Sequence, residues 1–104
     1  MNRPANALRG EAMVATQGGH IFLRPSFSAL VACEAELGSL FALVERAAAG
    51  ELKLSEMASL FWHCRTDANA EVTRAEFSET LTQAGLAAMT PALKILLGQI
   101  LSGR

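Results

Sequence analysis

The feature that most constrains the fold is a series of short apolar stripes with helical spacing, bounded by glycines and by residues that cap helices. Leu40, Leu43, Val44 and Ala47 fall at positions i, i+3, i+4 and i+7, and Gly50 ends the run. The stripes predicted for the other helices are Phe27, Leu30, Val31 and Leu37, then Met57, Leu60, Phe61 and Cys64, and then Phe77, Leu81 and Ala84. The predicted N-caps are Ser26, Ser39, Ser55, Thr73 and Thr90, the last followed by Pro91. We therefore predict four or five short helices.

A β-hairpin is predicted ahead of these helices. The Gly18-Gly19 pair is typical of a two-residue hairpin turn, which would set Val14 opposite Leu23 and Thr16 opposite Ile21. The predicted fold class is therefore α+β, mostly α: an N-terminal β-hairpin followed by a bundle of four to five short helices. We expect residues 1–10 to form a flexible tail and residues 11–104 to form a single domain.

Charge argues against nucleic acid and against a membrane surface as partners. The 104 residues include nine Lys plus Arg and ten Asp plus Glu, for a formal net charge of -1, and the cations are scattered along the chain. Nucleic-acid binding needs cations that converge on phosphates, and binding to anionic lipid needs a polybasic segment.

The N-terminus has no apolar leader, and Leu86 to Leu101 is too short and too interrupted to span a bilayer. We expect a cytoplasmic protein, with Cys33 and Cys64 as buried, reduced thiols rather than a disulfide or redox pair.

Residues with reactive side chains form no recognisable catalytic, metal or cofactor site. His20 falls at the hairpin turn and His63 lies off the apolar stripe of its helix, so both are predicted to be solvated. The segment from Asp67 resembles the start of a calcium loop, but Val72 replaces the required glycine and Ser78 the required glutamate. No catalytic, metal-binding or cofactor-binding residue is predicted, and we expect a non-enzymatic protein.

The apolar content exceeds what single helical stripes require. Trp62 projects away from the stripe of its helix, and the last helix carries apolar residues around more than one face. These side chains either complete the core of a small domain or form a surface for another protein. The candidate partner-binding residues are Trp62, Leu93, Leu96, Leu97, Ile100 and Leu101.

The order and spacing of the motifs resemble a known family. The run from Gly19 to Gly50, GHIFLRPSFSALVACEAELGSLFALVERAAAG, resembles the opening of the gene-transfer-agent tail protein family of phages. The similarity continues through Leu54-Ser55 and Gly85-Leu86 to Leu96-Leu97, and so covers nearly the whole chain after residue 10. Members of that family are described either as tail-tube components or as tail-assembly chaperones.

Strand content favours the chaperone. If the chain were a tube component, the resemblance would imply β-sheets that join those of neighbouring subunits into a continuous barrel. This sequence has the alternating pattern of strands in one hairpin only. We expect a prophage- or host-encoded tail-assembly chaperone that binds apolar helical segments of the tape-measure protein, and the tail tube subunit is a second candidate partner. Self-association is left open. The alternative is a small helical regulatory or DNA-binding module, for which the third and fifth helices offer few base-reading side chains: His63, Arg65, Lys94 and Gln99.

Overall fold

A computed structural model describes residues 11–16, 18–66 and 72–102. In chain order its elements are β1 (Ala12–Thr16), β2 (Gly19–Leu23), α1 (Phe27–Leu37), α2 (Leu40–Ala48), α3 (Leu54–Cys64), α4 (Arg74–Ala84) and α5 (Leu86–Ser102). This arrangement confirms the predicted α+β, mostly α class, with a hairpin followed by five helices. The predicted tail at residues 1–10 and the calcium-like segment 67–71 lie outside the described residues.

The hairpin is antiparallel, but its register differs from the predicted one by two residues. Thr16 pairs with Gly19 and Val14 with Ile21, so β2 begins at a glycine assigned to the turn. Gly19 can continue the strand because its φ of 141° is accessible to glycine and rarely to other residues. Since side chains alternate along a strand, a shift of two residues leaves each on its predicted face. Val14 and Leu23 are accordingly both fully buried.

The second strand is anchored to the end of α3. The Arg24 amide donates to the Cys64 carbonyl at 2.7 Å, and the Thr66 amide donates to the Phe22 carbonyl at 3.1 Å. Leu23 also forms an antiparallel β-bridge with Arg65. On the other strand, β1 contacts both α4 and α5. An isolated hairpin is marginally stable in water, so these contacts explain how this one persists.

Most of the predicted helix caps are present. Ser26 Oγ accepts a hydrogen bond from the Ala29 amide at 3.2 Å, and Thr73 and Glu76 form the expected reciprocal capping box at the start of α4. The predicted cap at Ser55 is wrong, because α3 begins at Leu54 and Ser55 lies within its first turn. At this end of α3 the Lys53 amide donates to the Glu56 carboxylate at 2.9 Å, which is the contact that the third helical residue makes in a capping box.

The last helix continues through Thr90 and Pro91, which the sequence predicted to open or re-open it. It runs from Leu86 to Ser102, so Thr90 is not its N-cap and Pro91 lies inside it. Proline removes one donor, so the Ala87 carbonyl loses its partner in the helix. Because Ala87 is exposed, water can hydrate that carbonyl. Among the described residues, no single helix is long and apolar enough to cross a bilayer. Two helix pairs, α1 with α2 and α4 with α5, have the required length and hydropathy when taken together, but each pair is sharply bent.

The core is built around α3. Its predicted stripe of Met57, Leu60, Phe61 and Cys64 is buried as expected, and it packs with the hairpin and with α4 and α5 residues that include Leu81, Met89 and Leu96. Leu60 and Phe61 have no exposed surface. Helix α3 packs on α1 and α4, and the residues at its C-terminal end hold β2.

The predicted stripe of α1 is wrong in orientation. Ala29 and Cys33 face the core, whereas Phe27 is 85% exposed and Val31 is 49% exposed. Small side chains let α1 approach α3 closely enough for the thiols of Cys33 and Cys64 to form a hydrogen bond, and both cysteines are buried and free as predicted. This hydrogen bond and burial raise the pKa of Cys64. The larger side chains of α1 therefore remain on its outer face.

The two phenylalanines of α2 and α3 allow a test of this division between core and surface. We expect Phe61→Ala to lower the free energy of unfolding by about 3–5 kcal/mol, because it leaves a cavity among fully buried neighbours. Phe41→Ala should change it by less than about 0.5 kcal/mol, because Phe41 is 78% exposed. Urea unfolding followed by the fluorescence of Trp62 measures both, and a comparable loss in the two variants would contradict this assignment of the core.

Candidate protein-binding groove

An open apolar groove lies where α1, α2 and the C-terminal end of α5 meet. It has a volume of about 220 Å³. Its lining is apolar except for one carboxylate and comprises Leu30, Glu34, Leu40, Phe41, Val44, Ile100 and Leu101. Pockets that bind small molecules measure about 300–1,000 Å³, so this groove is better suited to a few side chains of a partner than to a small organic ligand.

The bend between α1 and α2 forms two walls of the groove. The helices are bent by 80° across a short break. Gly38 ends α1 with a φ of 89°, which favours glycine, and Ser39 then caps α2 by accepting from the Ala42 amide at 3.3 Å. Glu34 Oε2 accepts from the Leu40 amide at 3.1 Å, and this bond ties the last turn of α1 to the first residue of α2. The walls are therefore held by local hydrogen bonds.

Large apolar side chains remain exposed in and beside the groove. Phe41 is 78% exposed and Leu101 is 61% exposed, although both line it. Phe27 and Val31 extend the apolar surface along α1, since they precede Glu34 by seven and three residues and share its face of the helix. Single exposed apolar residues are ordinary on protein surfaces, but several converging on one groove indicate an interaction site.

Two of the partner-binding residues predicted from the sequence lie in the groove. Ile100 and Leu101 line it from the end of α5. Of the others on this helix, Leu96 is fully buried in the core, Leu93 packs against the core, and Leu97 is half-buried. The helix thus turns its middle inward and contributes its last turn to the groove.

Trp62 lies away from the groove, at the contact between α3 and α4. It is half-buried and packs against the core, with its ring 5.5 Å from that of Phe77 in an edge-to-face arrangement. The guanidinium of Arg65 lies 3.5 Å from the centroid of the Trp62 ring, which is a cation–π contact. The structure therefore gives Trp62 intramolecular partners and does not bring it together with Ile100 and Leu101.

Sequence reasoning missed the part of the groove that comes from α1 and α2. Leu30, Leu40, Phe41 and Val44 line it, and all of these except Phe41 were assigned to the apolar stripes of their helices. A signal was present in α1, where apolar residues at 27, 30 and 31 occupy one face while Ala29, Ala32 and Cys33 occupy another. A helix that is apolar on two faces can bury one and offer the other to a partner.

A polar cluster joins three helices on another side of the molecule. Glu36 of α1 accepts a hydrogen bond from Ser59 Oγ at 3.0 Å and is paired at 2.8 Å with His63 Nε2, both on α3. Arg74 of α4 donates to both Glu36 and Ser59. The hydrogen bond from Arg74, followed by that with His63, lowers the pKa of Glu36 to about 2. The prediction that His63 is simply solvated is wrong, because its side chain is 19% exposed and paired.

The groups of this polar cluster satisfy one another. Ser59 donates to the Glu36 carboxylate and accepts from Arg74, so its hydroxyl has a partner in each direction. Among the residues that the structure describes, no three His, Cys, Asp or Glu side chains are grouped to hold a metal ion. The polar cluster therefore links α1, α3 and α4.

Comparison with protein families identifies what kind of protein this is. A family model described as phage tail tube protein, GTA-gp10, matches residues 9–103. The match spans nearly the whole chain, so the protein is a phage or gene-transfer-agent tail protein. The chain belongs to the GTA-gp10 tail tube protein family, which confirms the resemblance seen in the sequence, and membership indicates association with other phage tail proteins. Comparisons with curated proteins and with solved structures gave no match.

The lowered pKa of Glu36 predicts a loss of stability in acid. A carboxylate whose pKa falls from 4.5 to about 2 on folding stabilises the protein above pH 4.5, and this contribution is lost as the pH falls toward 2. Because the Glu36 side chain is 37% exposed, solvent screening limits the effect to about 1 kcal/mol. We expect urea unfolding between these pH values to show this loss in the native protein and a smaller one in Glu36→Gln. Glu79→Gln, an exposed change on α4, is the control, and equal pH dependence in all three proteins would contradict the prediction.

Proposed function

We propose that this protein is a non-enzymatic tail-assembly chaperone that binds apolar helical segments of the tape-measure protein while the tail tube assembles. The observation that carries the proposal is the groove at the junction of α1, α2 and α5, with Phe41 and Leu101 exposed in it. Burying such side chains against a partner removes apolar surface from water, which is the main driving force of protein association. We assign this binding to a domain of residues 11–104 acting in the cytoplasm of the bacterial host.

The shape of the groove supports a helical partner. Its walls are three helices, and an amphipathic helix presents side chains at i, i+3, i+4 and i+7 to a groove of this kind. Tape-measure helices that are unassembled have no tube around them, so their apolar faces need temporary cover. A groove that is apolar and open can provide such cover reversibly.

The sheet content favours a chaperone over a tube subunit. Within the described residues, the sheet has two strands, and contacts from other parts of the chain engage both. The outer side of β2 makes a bridge at Leu23 and hydrogen bonds to residues at the end of α3. A subunit that closes a barrel with its neighbours needs free strand edges for them.

The alternative of a DNA-binding or regulatory module has less support. Arg46 pairs with Glu56, Arg65 stacks on Trp62, and Arg74 pairs with Glu36. These arginines are engaged within the protein, which leaves fewer cations to neutralise phosphates.

Co-purification with the tape-measure protein tests the proposal. We expect the tagged chain, co-expressed with the tape-measure protein of the same gene cluster, to retain it. Phe41→Ser should weaken this binding by about thirtyfold, which corresponds to loss of an anchor worth about 2 kcal/mol.

The matched control is Leu86→Ser. Leu86 is 57% exposed, and it lies 14 residues before Ile100 on α5, a distance of about 21 Å along the helix. This variant should bind like the native protein. If the folded native chain fails to retain the tape-measure protein, or if both variants lose it equally, the proposal is wrong; retention of the tail tube subunit alone would favour a structural role.

A further inference from the structure

The rim of the groove carries negative charge at a fixed position. Glu34 is the charged residue of the lining, and its Oε2 accepts from the amide of Leu40, the first residue of α2. This contact orients the Glu34 side chain at the junction of α1 and α2. The charge is therefore presented beside Leu30, which lies one turn earlier on α1.

A second carboxylate lies on α2, outside the lining of the groove. Glu45 is exposed and follows Phe41 by four residues, which places it next to that side chain on the surface of α2. The neighbouring cation, Arg46, is paired with Glu56. Lys94 precedes Leu101 by seven residues, about 10 Å along α5, which is roughly one screening length at physiological salt. The apolar anchors of α1 and α2 are thus each flanked by a carboxylate.

We propose that the groove selects a basic amphipathic helix, one that carries a lysine or arginine one turn away from its aliphatic anchors. This inference rests on the proposed function and specifies which tape-measure segments the groove takes. The aliphatic side chains of the partner helix fill the space beside Phe41 and Leu101, and its lysine or arginine lies opposite Glu34 or Glu45. Charges at the rim of an interface act mainly on selectivity and association rate, while the buried apolar contacts supply most of the affinity.

Two synthetic peptides test this charge preference directly. Both are amphipathic helices with leucine at i, i+3, i+4 and i+7; one carries lysine at the positions flanking the leucines and the other carries glutamate there. Fluorescence anisotropy with the full-length protein at low salt should show the lysine peptide binding about fivefold tighter, a ratio typical of one or two exposed ion pairs. The ratio should shrink when salt shortens the screening length to about 3 Å.

Variants of the protein separate the effect of the Glu34 charge from the effect of its hydrogen bond to the Leu40 amide. Glu34→Gln keeps an oxygen that can accept from the Leu40 amide, so the link between α1 and α2 should remain. Together with Glu45→Gln it should abolish the preference for lysine, so that the two peptides bind equally. Phe41→Ser should weaken both peptides, and the matched Leu86→Ser should weaken neither.

Each result distinguishes this inference from the proposed function. Equal binding of the two peptides, with the tape-measure protein still retained in co-purification, overturns the charge selectivity alone. Loss of tape-measure binding by a folded protein overturns the proposed function. A dimer in sedimentation that Phe41→Ser converts to monomer assigns the groove to a second copy of this chain and overturns both.

Discussion

The close packing of α1 on α3 is the contact on which the rest of the architecture depends. It is made through Ala29 and Cys33, whose small side chains allow the two helices to approach. A helix that buries its small residues must place its larger ones elsewhere. Phe27 and Val31 consequently face outward, and the outer side of α1 becomes available to form one wall of a groove.

Polar and apolar contacts are divided between two sides of the molecule. The Glu36 cluster links α1 to α3 and α4, where charged groups find intramolecular partners. The junction of α1, α2 and α5 instead leaves apolar side chains without full cover. Since ion pairs near a surface contribute little stability individually, the polar cluster is better understood as fixing helix positions than as supplying the folding free energy. Helix α1 belongs to both sides, because it carries Glu36 of the cluster and Leu30 and Glu34 of the groove.

The sequence predicted element types well and the identity of the buried faces less well. Helices were visible because glycines and capping residues bound their apolar stripes, and the α3 stripe matched its buried face. For α1 the same reasoning failed, because periodicity shows that Phe27, Leu30 and Val31 share a face but does not show whether that face meets the core. The hairpin register failed for a related reason: glycine at position 19 can turn or extend, and only pairing decides which. The groove depends on a bend between helices, which no single stripe encodes.

Helix α5 explains why stability and binding can be altered independently in so small a protein. Met89, Ala92 and Leu96 lie in the core, whereas Ile100 and Leu101, beyond the last of these, line the groove. A continuous helix transmits position along its axis, so the buried segment sets where the last turn lies without using the side chains of that turn for packing. Ile100 is half-buried and Leu101 is exposed, so the last turn keeps apolar surface that the core does not use. Under the proposed function, such placement lowers the conformational entropy lost when a partner helix binds.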